Sequence, residues 1–255
     1  TDRGVGWYRL DLELPAMPKG RHYFLQFDGV ATIADAWLTG TPLGAHRRAY
    51  ARFRFDARTQ LKSGHNPIVL KADNSLPAAG SSTENVLPLG GDYFLYGGIY
   101  RGVSLISTGS AQIDLLDHGG PGVYVSTPSV RTDQADVAVL TRLRNLGADK
   151  RKLTLMTTIL DATKRPIVTD VAAVTIARDA NRQVRRVLKL DKPHLWQGRA
   201  DPYLYQVEVE LRDGKQVIDR VIQPLGVRTF AFDADRGFIL NGKPTPLHGA
   251  ARHQE

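Results

Sequence analysis

The 255-residue sequence contains no cysteine, so disulfides and thiolate metal sites are excluded while the compartment stays open. No apolar run approaches the ~20 residues that a membrane-spanning helix needs. No segment shows a sustained helical period with caps, which argues against a helical architecture. The N-terminus, TDRGVGWYRLDLEL, has no signal-peptide pattern and is already strand-like by Trp7, so it reads as cropped or processed. Glutamate is scarce: Glu13, Glu84, Glu208, Glu210 and Glu255 are all there are, and no Asn-Glu dipeptide occurs.

What is present fits a folded β protein. Hydrophobic residues make up 42% and charged residues 24% of the chain, enough for a real core. The period is two almost throughout. Leu10, Leu12 and Leu14 alternate with Arg9, Asp11 and Glu13; Tyr23, Leu25 and Phe27 do the same. Val137, Val139, Thr141 and Leu143 repeat the pattern, as do Val207, Val209 and Leu211 against Glu208 and Glu210. Such alternation marks strands with one face on a core and the other in water. Asp213-Gly214 reads as a tight hairpin turn with two positive-φ positions. The pattern predicts an all-β chain of two sandwiches, residues 1–108 rich in aromatics and glycine and residues 109–231 with the length and spacing of an immunoglobulin-like domain. Residues 232–255 form a third, incomplete piece.

The formal charge of +8 raises the question of nucleic acid. The densest basic stretches, 46–55, 149–152 and 181–186, lie far apart and carry no recognition signature, so solvated strand faces explain them better. No nucleic-acid partner and no membrane are expected.

Six blocks occur in a telling order: WYRLDLELP, FDGVATIADAWLTGTPLGAH, FDARTQLKSGHNPIVLKADN, DYFLYGGIYRGVSL, LWQGRADPYLYQVEVEL and LGVRTFAFDADRGFILNGKPTPLHGAARHQE. This order resembles the front half of family-2 glycoside hydrolases, the relatives of β-galactosidase, β-glucuronidase and β-mannosidase. The resemblance implies a jelly-roll, galactose-binding-like sandwich, then an immunoglobulin-like sandwich, then the first strand of an absent (β/α)8 barrel that bears the catalytic glutamates. Asn241-Gly242 fits a type I′ turn, and Pro244 and Pro246 keep the next segment extended. Leu247 to Ala251 then reads as the first barrel strand, with Arg252 and His253 at its carboxyl end, where barrel enzymes place chemistry.

Retaining glycosidases need two carboxylates about 5–5.5 Å apart. None of the five glutamates can be paired that way by argument, so no catalytic residue is assigned and the chain by itself is expected to be inactive. The resemblance implies three substrate-binding residues instead. Asp92 would reach a sugar hydroxyl in the barrel pocket and, in some galactosidases of the family, ligate a monovalent cation. His253 would donate to sugar hydroxyls, and Arg252 would act there or pair with a barrel carboxylate. No cofactor is expected beyond a sodium or magnesium ion in a full-length enzyme. The expected partners are a β-glycoside, a galactoside first, and the missing barrel; homo-oligomerisation stays open, and a periplasmic or secreted location is favoured. Trp37 and Tyr8 read as core of the first sandwich, and Gly97-Gly98 as a close backbone approach. Against the family pattern, Arg47-Arg48-Ala49 follows His46 where a Gly-Gly pair is usual, and Thr39-Gly40 replaces an Asn-Gly turn. The rival readings are a free-standing carbohydrate-binding sandwich pair and a structural protein whose basic surface binds acidic polysaccharide.

Overall fold

The computed structural model describes residues 3–86 and 96–250. Among them there is no helix, and the chain divides into two compact units. The first unit comprises residues up to Gly109 together with Leu115–Gly120; the second comprises Ser110–Asp114 and Pro121–Ala250.

The first unit is built from β1 (Val5–Leu14), β2 (His22–Phe27), β3 (Val30–Ala31), β4 (Ile33–Leu38), β5 (Thr41–Arg47), β6 (Phe53–Asp56), β7 (Gly64–Asp73), β8 (Gly98–Ile99) and β9 (Val103–Thr108). One sheet runs β1-β7-β4-β5 and the other β6-β2-β9, the two layers of a jelly-roll sandwich. Between them lie Tyr23, Leu25 and Phe27 from β2, Ala34, Ala36 and Leu38 from β4, and Ile68, Leu70 and Ala72 from β7. Each is every second residue of its strand, as alternation requires.

β1 departs from that expectation. Leu12 and Leu14 pack against the core, but Leu10 is 57% exposed and Tyr8 41%. β1 pairs with β7 alone, at the margin of a four-stranded sheet facing a three-stranded one, so among the described residues its core-side positions near the N-terminal end have no opposite layer. Tyr8 is therefore not core, and Trp37 is only partly buried, standing 5.7 Å from the exposed Trp7.

The second unit holds β10 (Ala111–Ile113), β11 (Val123–Val130), β12 (Gln134–Asn145), β13 (Arg151–Leu160), β14 (Pro166–Ile176), β15 (Ala180–Asp191), β16 (Tyr205–Asp213), β17 (Gln216–Leu225), β18 (Phe230–Asp233), β19 (Gly237–Leu240) and β20 (Lys243–Pro244). β12 is central to one sheet, flanked by β15 on one side and by β10 and β11 on the other; the second sheet runs β14-β13-β16-β17. This is an immunoglobulin-like sandwich. Its core contains Val137, Val139, Leu143, Leu155, Ile159, Val207, Val209 and Leu211, all essentially inaccessible. The β16–β17 turn is Gly214-Lys215, because Asp213 pairs with Gln216 and only Gly214 (φ 57°) has positive φ. Glycine at the first central position is what a II′-type turn asks for, so the expected pair of positive-φ residues at 213–214 is corrected by one position.

The last three strands form their own small sheet. Asn241 (φ 49°) and Gly242 (φ 79°) make the predicted left-handed pair, and the Asn241 side chain does more. Its Nδ2 donates to the Trp196 carbonyl (3.0 Å) and its Oδ1 accepts from Thr229 N (2.9 Å), pinning the hairpin to the sandwich. Residues 245–250 belong to no strand: Pro246 has no N–H to donate, and no described strand pairs with the segment, so the strand expected from Leu247 is not formed over its described residues.

Candidate functional site

Asp92, Arg252 and His253 lie outside the described residues. What the structure does describe is the frame on either side of 87–95, within the first unit. It begins at the C-terminal end of β7, where Asp73 is buried. The Asp73 carboxylate accepts from Ser75 N (2.9 Å) and from the Ser82 hydroxyl. Burial pushes this carboxyl up, but the bonds from Ser82 and Ser75, aided by the nearby Lys71 ammonium, outweigh it and hold the group below the usual carboxylate range. Asp73 is thereby a fixed anion that folds residues 75–86 back on the sheet. Arg47 Nη1 grips the same loop at Ser82 O (2.8 Å), and Thr83, fully buried, donates to Leu76 O (3.1 Å).

The returning segment is anchored as closely. A Cβ on Gly97 would fall 2.6 Å from the Asn74 amide, and one on Gly98 (φ 89°) 2.0 Å from Tyr8 Oη. Gly98 holds a φ that side chains rarely adopt, and a side chain at either place would have to displace Asn74 or Tyr8, which favours the glycine pair there. Asn74 in turn accepts from Gly4 N (2.9 Å), tying the start of β1 to the same corner. Together these residues border an open groove of about 320 Å³ lined by Gly4, Gly6, Tyr8, Asn74, Gly97 and Gly98. Tyr8 is the phenol of this groove rather than a core residue.

Elsewhere several carboxylates are committed to structure. Glu210, expected on a solvated polar face, is buried under two guanidiniums: Arg220 Nη2 reaches its Oε1 at 2.7 Å and Arg212 grips Oε2. Burial raises its pKa, and the Arg212 and Arg220 bonds and charges more than reverse this. Arg186 makes a two-pronged contact with Asp170 at 2.6 Å each, and Asp201 meets His194 Nε2 at 2.6 Å. A glycosidic general acid must be held protonated, so its pKa is raised. Every described Asp or Glu with a resolved shift is moved the other way. Among the described residues no group of three or more His, Asp or Glu could hold a metal ion.

The remaining sequence blocks are architectural. His46 stacks on Phe53 at 4.0 Å; burial, with the Arg48 charge, lowers its pKa against a backbone hydrogen bond at Arg48 that raises it. Tyr203 stacks on His194 at 4.0 Å, and Arg228 lies 5.0 Å over Trp196. A second open groove of about 550 Å³ runs in the second unit past Thr127, Pro128, Pro224, Arg228 and Phe230. Asp73, which sequence reasoning did not single out, and Glu210, which it placed on a solvated face, are the two most deeply buried carboxylates among the described residues. An Asp followed by serines at a strand end was the one available signal for the first; nothing local distinguishes Glu210 from Glu208.

Comparison with known proteins bears on both units. Residues 4–90 match the glycosyl hydrolase 2 galactose-binding domain-like family and residues 122–228 match glycosyl hydrolases family 2. The chain is 39% identical over 255 residues to a β-glucuronidase of Bacteroides fragilis, covering 99% of this chain and 35% of the relative. It is 28% identical to a β-galactosidase of Bacteroides ovatus, covering 99% and 28% respectively. The structure of Bacteroides uniformis β-glucuronidase 2, covalently bound to cyclophellitol-6-carboxylate aziridine, superposes with a TM-score of 0.92 at 31% identity, over 100% of this chain and 30% of that one. The chain thus spans about a quarter to a third of the length of the curated relatives it matches.

Proposed function

Because the chain belongs to glycosyl hydrolase family 2, we propose that it is the front portion of a retaining β-glycosidase, with domains at 1–108, 109–231 and 232 onward. The observation that carries this reading is the pair of family matches, in family order, on both sandwiches. Double displacement at an anomeric carbon would be performed by two carboxylates in sequence beyond Glu255. Asp92 would accept hydrogen bonds from a sugar hydroxyl, its charge strengthening each one, and His253, with Arg252, would donate to the ring. The frame of Asp73, Asn74, Gly97 and Gly98 supports this role by fixing both approaches to the Asp92 segment. A galactoside was the first expectation. The β-glucuronidase names on the relatives at 39% and 32% identity favour a glucuronide, with galactosides second.

The test is turnover by the full reading frame on aryl β-glucuronide and aryl β-galactoside. Hydrolysis of the glucuronide with retention is expected, and Asp92→Ala should lower kcat/KM by about 10²-fold, the effect of losing one charge-assisted substrate bond. Residues 1–255 alone should show no turnover. Appreciable hydrolysis by that piece sinks the assignment of the carboxylates, and a reading frame that stops after Glu255 with intact glycan binding supports a binding module instead.

A further inference from the structure

Two basic stretches that are thirty residues apart in sequence, 149–152 and 181–186, meet at one end of the second sandwich. The cause is topological. β12 crosses to β13 through residues 146–150, and β14 crosses back to β15 through 177–179. Because Asn145 pairs with Ala180 and Arg151 with Ile176, both crossovers lie at the same end. One fully buried side chain stitches them together. Asn145 Nδ2 donates to Asp149 O (2.8 Å) and Ala177 O (2.9 Å), and Asp179 N donates to Gly147 O at 3.3 Å. Arg182 then reaches from β15 to Thr175 O on β14 (2.7 Å), beside Lys152, which is the ladder partner of Thr175.

Residues 142–152 and 174–186 together hold nine arginines and lysines against two aspartates. Part of this charge is used internally: Arg151 pairs with Asp213 at 2.8 Å and Arg186 with Asp170. Lys150, Lys152, Arg178 and Arg182 remain exposed and make no ion pair with any described residue. Like charges held this close cost stability unless a counter-charge is supplied from outside.

We propose that this end of the second sandwich is a docking surface for an acidic glycan, one bearing carboxylates or sulfates along a flexible chain. The choice of a glycan over nucleic acid rests on the β-glycosidase reading above. The patch suits a chain of spaced anions: its four exposed cations sit on two short crossovers and two strand ends. Residues 142–152 and 174–186 contain no aromatic, and the neighbouring Tyr124 ring is already covered by Arg142 at 5.9 Å, which leaves little for base stacking. Its role would be to hold the polymer while the reacting sugar is processed elsewhere.

The probe is immobilised polygalacturonate, with neutral dextran and a mixed-sequence single-stranded DNA as references, and retention of residues 1–255 is measured as salt rises. Retention at roughly 50 mM NaCl and release as screening shortens to a few ångströms is expected, with no retention on dextran. The triple variant Lys150→Glu, Lys152→Glu, Arg182→Glu should weaken binding about tenfold or more, and the milder triple change to Gln should weaken it less. A matched reversal in the first unit, Lys19→Glu, Lys62→Glu, Arg48→Glu, should leave it nearly unchanged. Absence of retention, equal losses in both reversal variants, or tighter binding to DNA than to the glycan overturns the proposal. Because the readout needs no turnover, failure of the activity reading alone leaves retention intact, and failure of the patch leaves turnover of aryl glycosides intact.

Discussion

Both units are two-layered sandwiches, yet they treat an alternating strand differently. In β12 and β16 of the second unit every second residue is sealed: Leu143, Val207, Val209 and Leu211 show no accessible surface. In β1 of the first unit the same pattern leaves Leu10 more than half exposed. Alternation states which residues share a face. Whether that face is covered depends on the width of the opposite layer, and among the described residues three strands face four. The units also differ in charge. The second carries six of the eight net positive charges and gathers them at one end.

The largest expected effect tests the first contrast directly. Leu143→Ala should cost about 3–4 kcal/mol, the usual range for a sealed leucine, whereas Leu10→Ala should cost less than about 0.5 kcal/mol. Chemical denaturation of the two variants measures both, and comparable losses would mean that β1 is covered after all. Next comes Glu210→Gln, which leaves Arg212 and Arg220 without their shared anion. A loss of about 1–2 kcal/mol is expected, moderated because Arg220 is half exposed.

The same residue makes a pH prediction. The Glu210 carboxyl is lowered in the folded state from its ordinary 4.5. Its contribution is complete above that value and is lost as pH falls from 4.5 through the folded value. The Gln variant should lose this part of the acid slope, and urea midpoints between pH 5 and 3 would show whether it does. His46 and His22 act at higher pH. Burial lowers both from 6.5, so the folded state refuses a proton that the unfolded chain accepts. Stability should be full above 6.5 and decline as pH falls below it, and His46→Phe should flatten that decline.

The smallest effect concerns a turn. Thr39 (φ 49°) occupies a left-handed position beside Gly40 (φ 78°), and a β-branched residue is strained there. Thr39→Asn should stabilise the first unit by about 0.5–1 kcal/mol; a loss would show that the Thr39 Oγ1 bond to Leu38 O (2.7 Å) matters more than the strain.

The departures from the family pattern leave the sandwich fold in place. Thr39-Gly40 keeps the turn that an Asn-Gly pair would make. Arg47, standing where a glycine is usual, serves the loop instead by holding Ser82. Of the candidate site, the Gly97-Gly98 approach was legible because such contacts favour glycine, and Asn241-Gly242 because only a few residues accept its φ. The frame around Asp73 was not, since its partners Ser75 and Ser82 become neighbours only when the loop closes. Asp92, Arg252 and His253 stand on resemblance.

By itself the sequence determined the periodicity, the Asn241-Gly242 turn and the family, because each is written in residues within a few positions or in the order of blocks along the chain. Tertiary structure alone decided which alternating faces are roofed, which of two adjacent glutamates is clamped between arginines, and which separated basic stretches meet. Those outcomes depend on how many strands face one another and at which end the chain crosses between layers, and no local pattern encodes either.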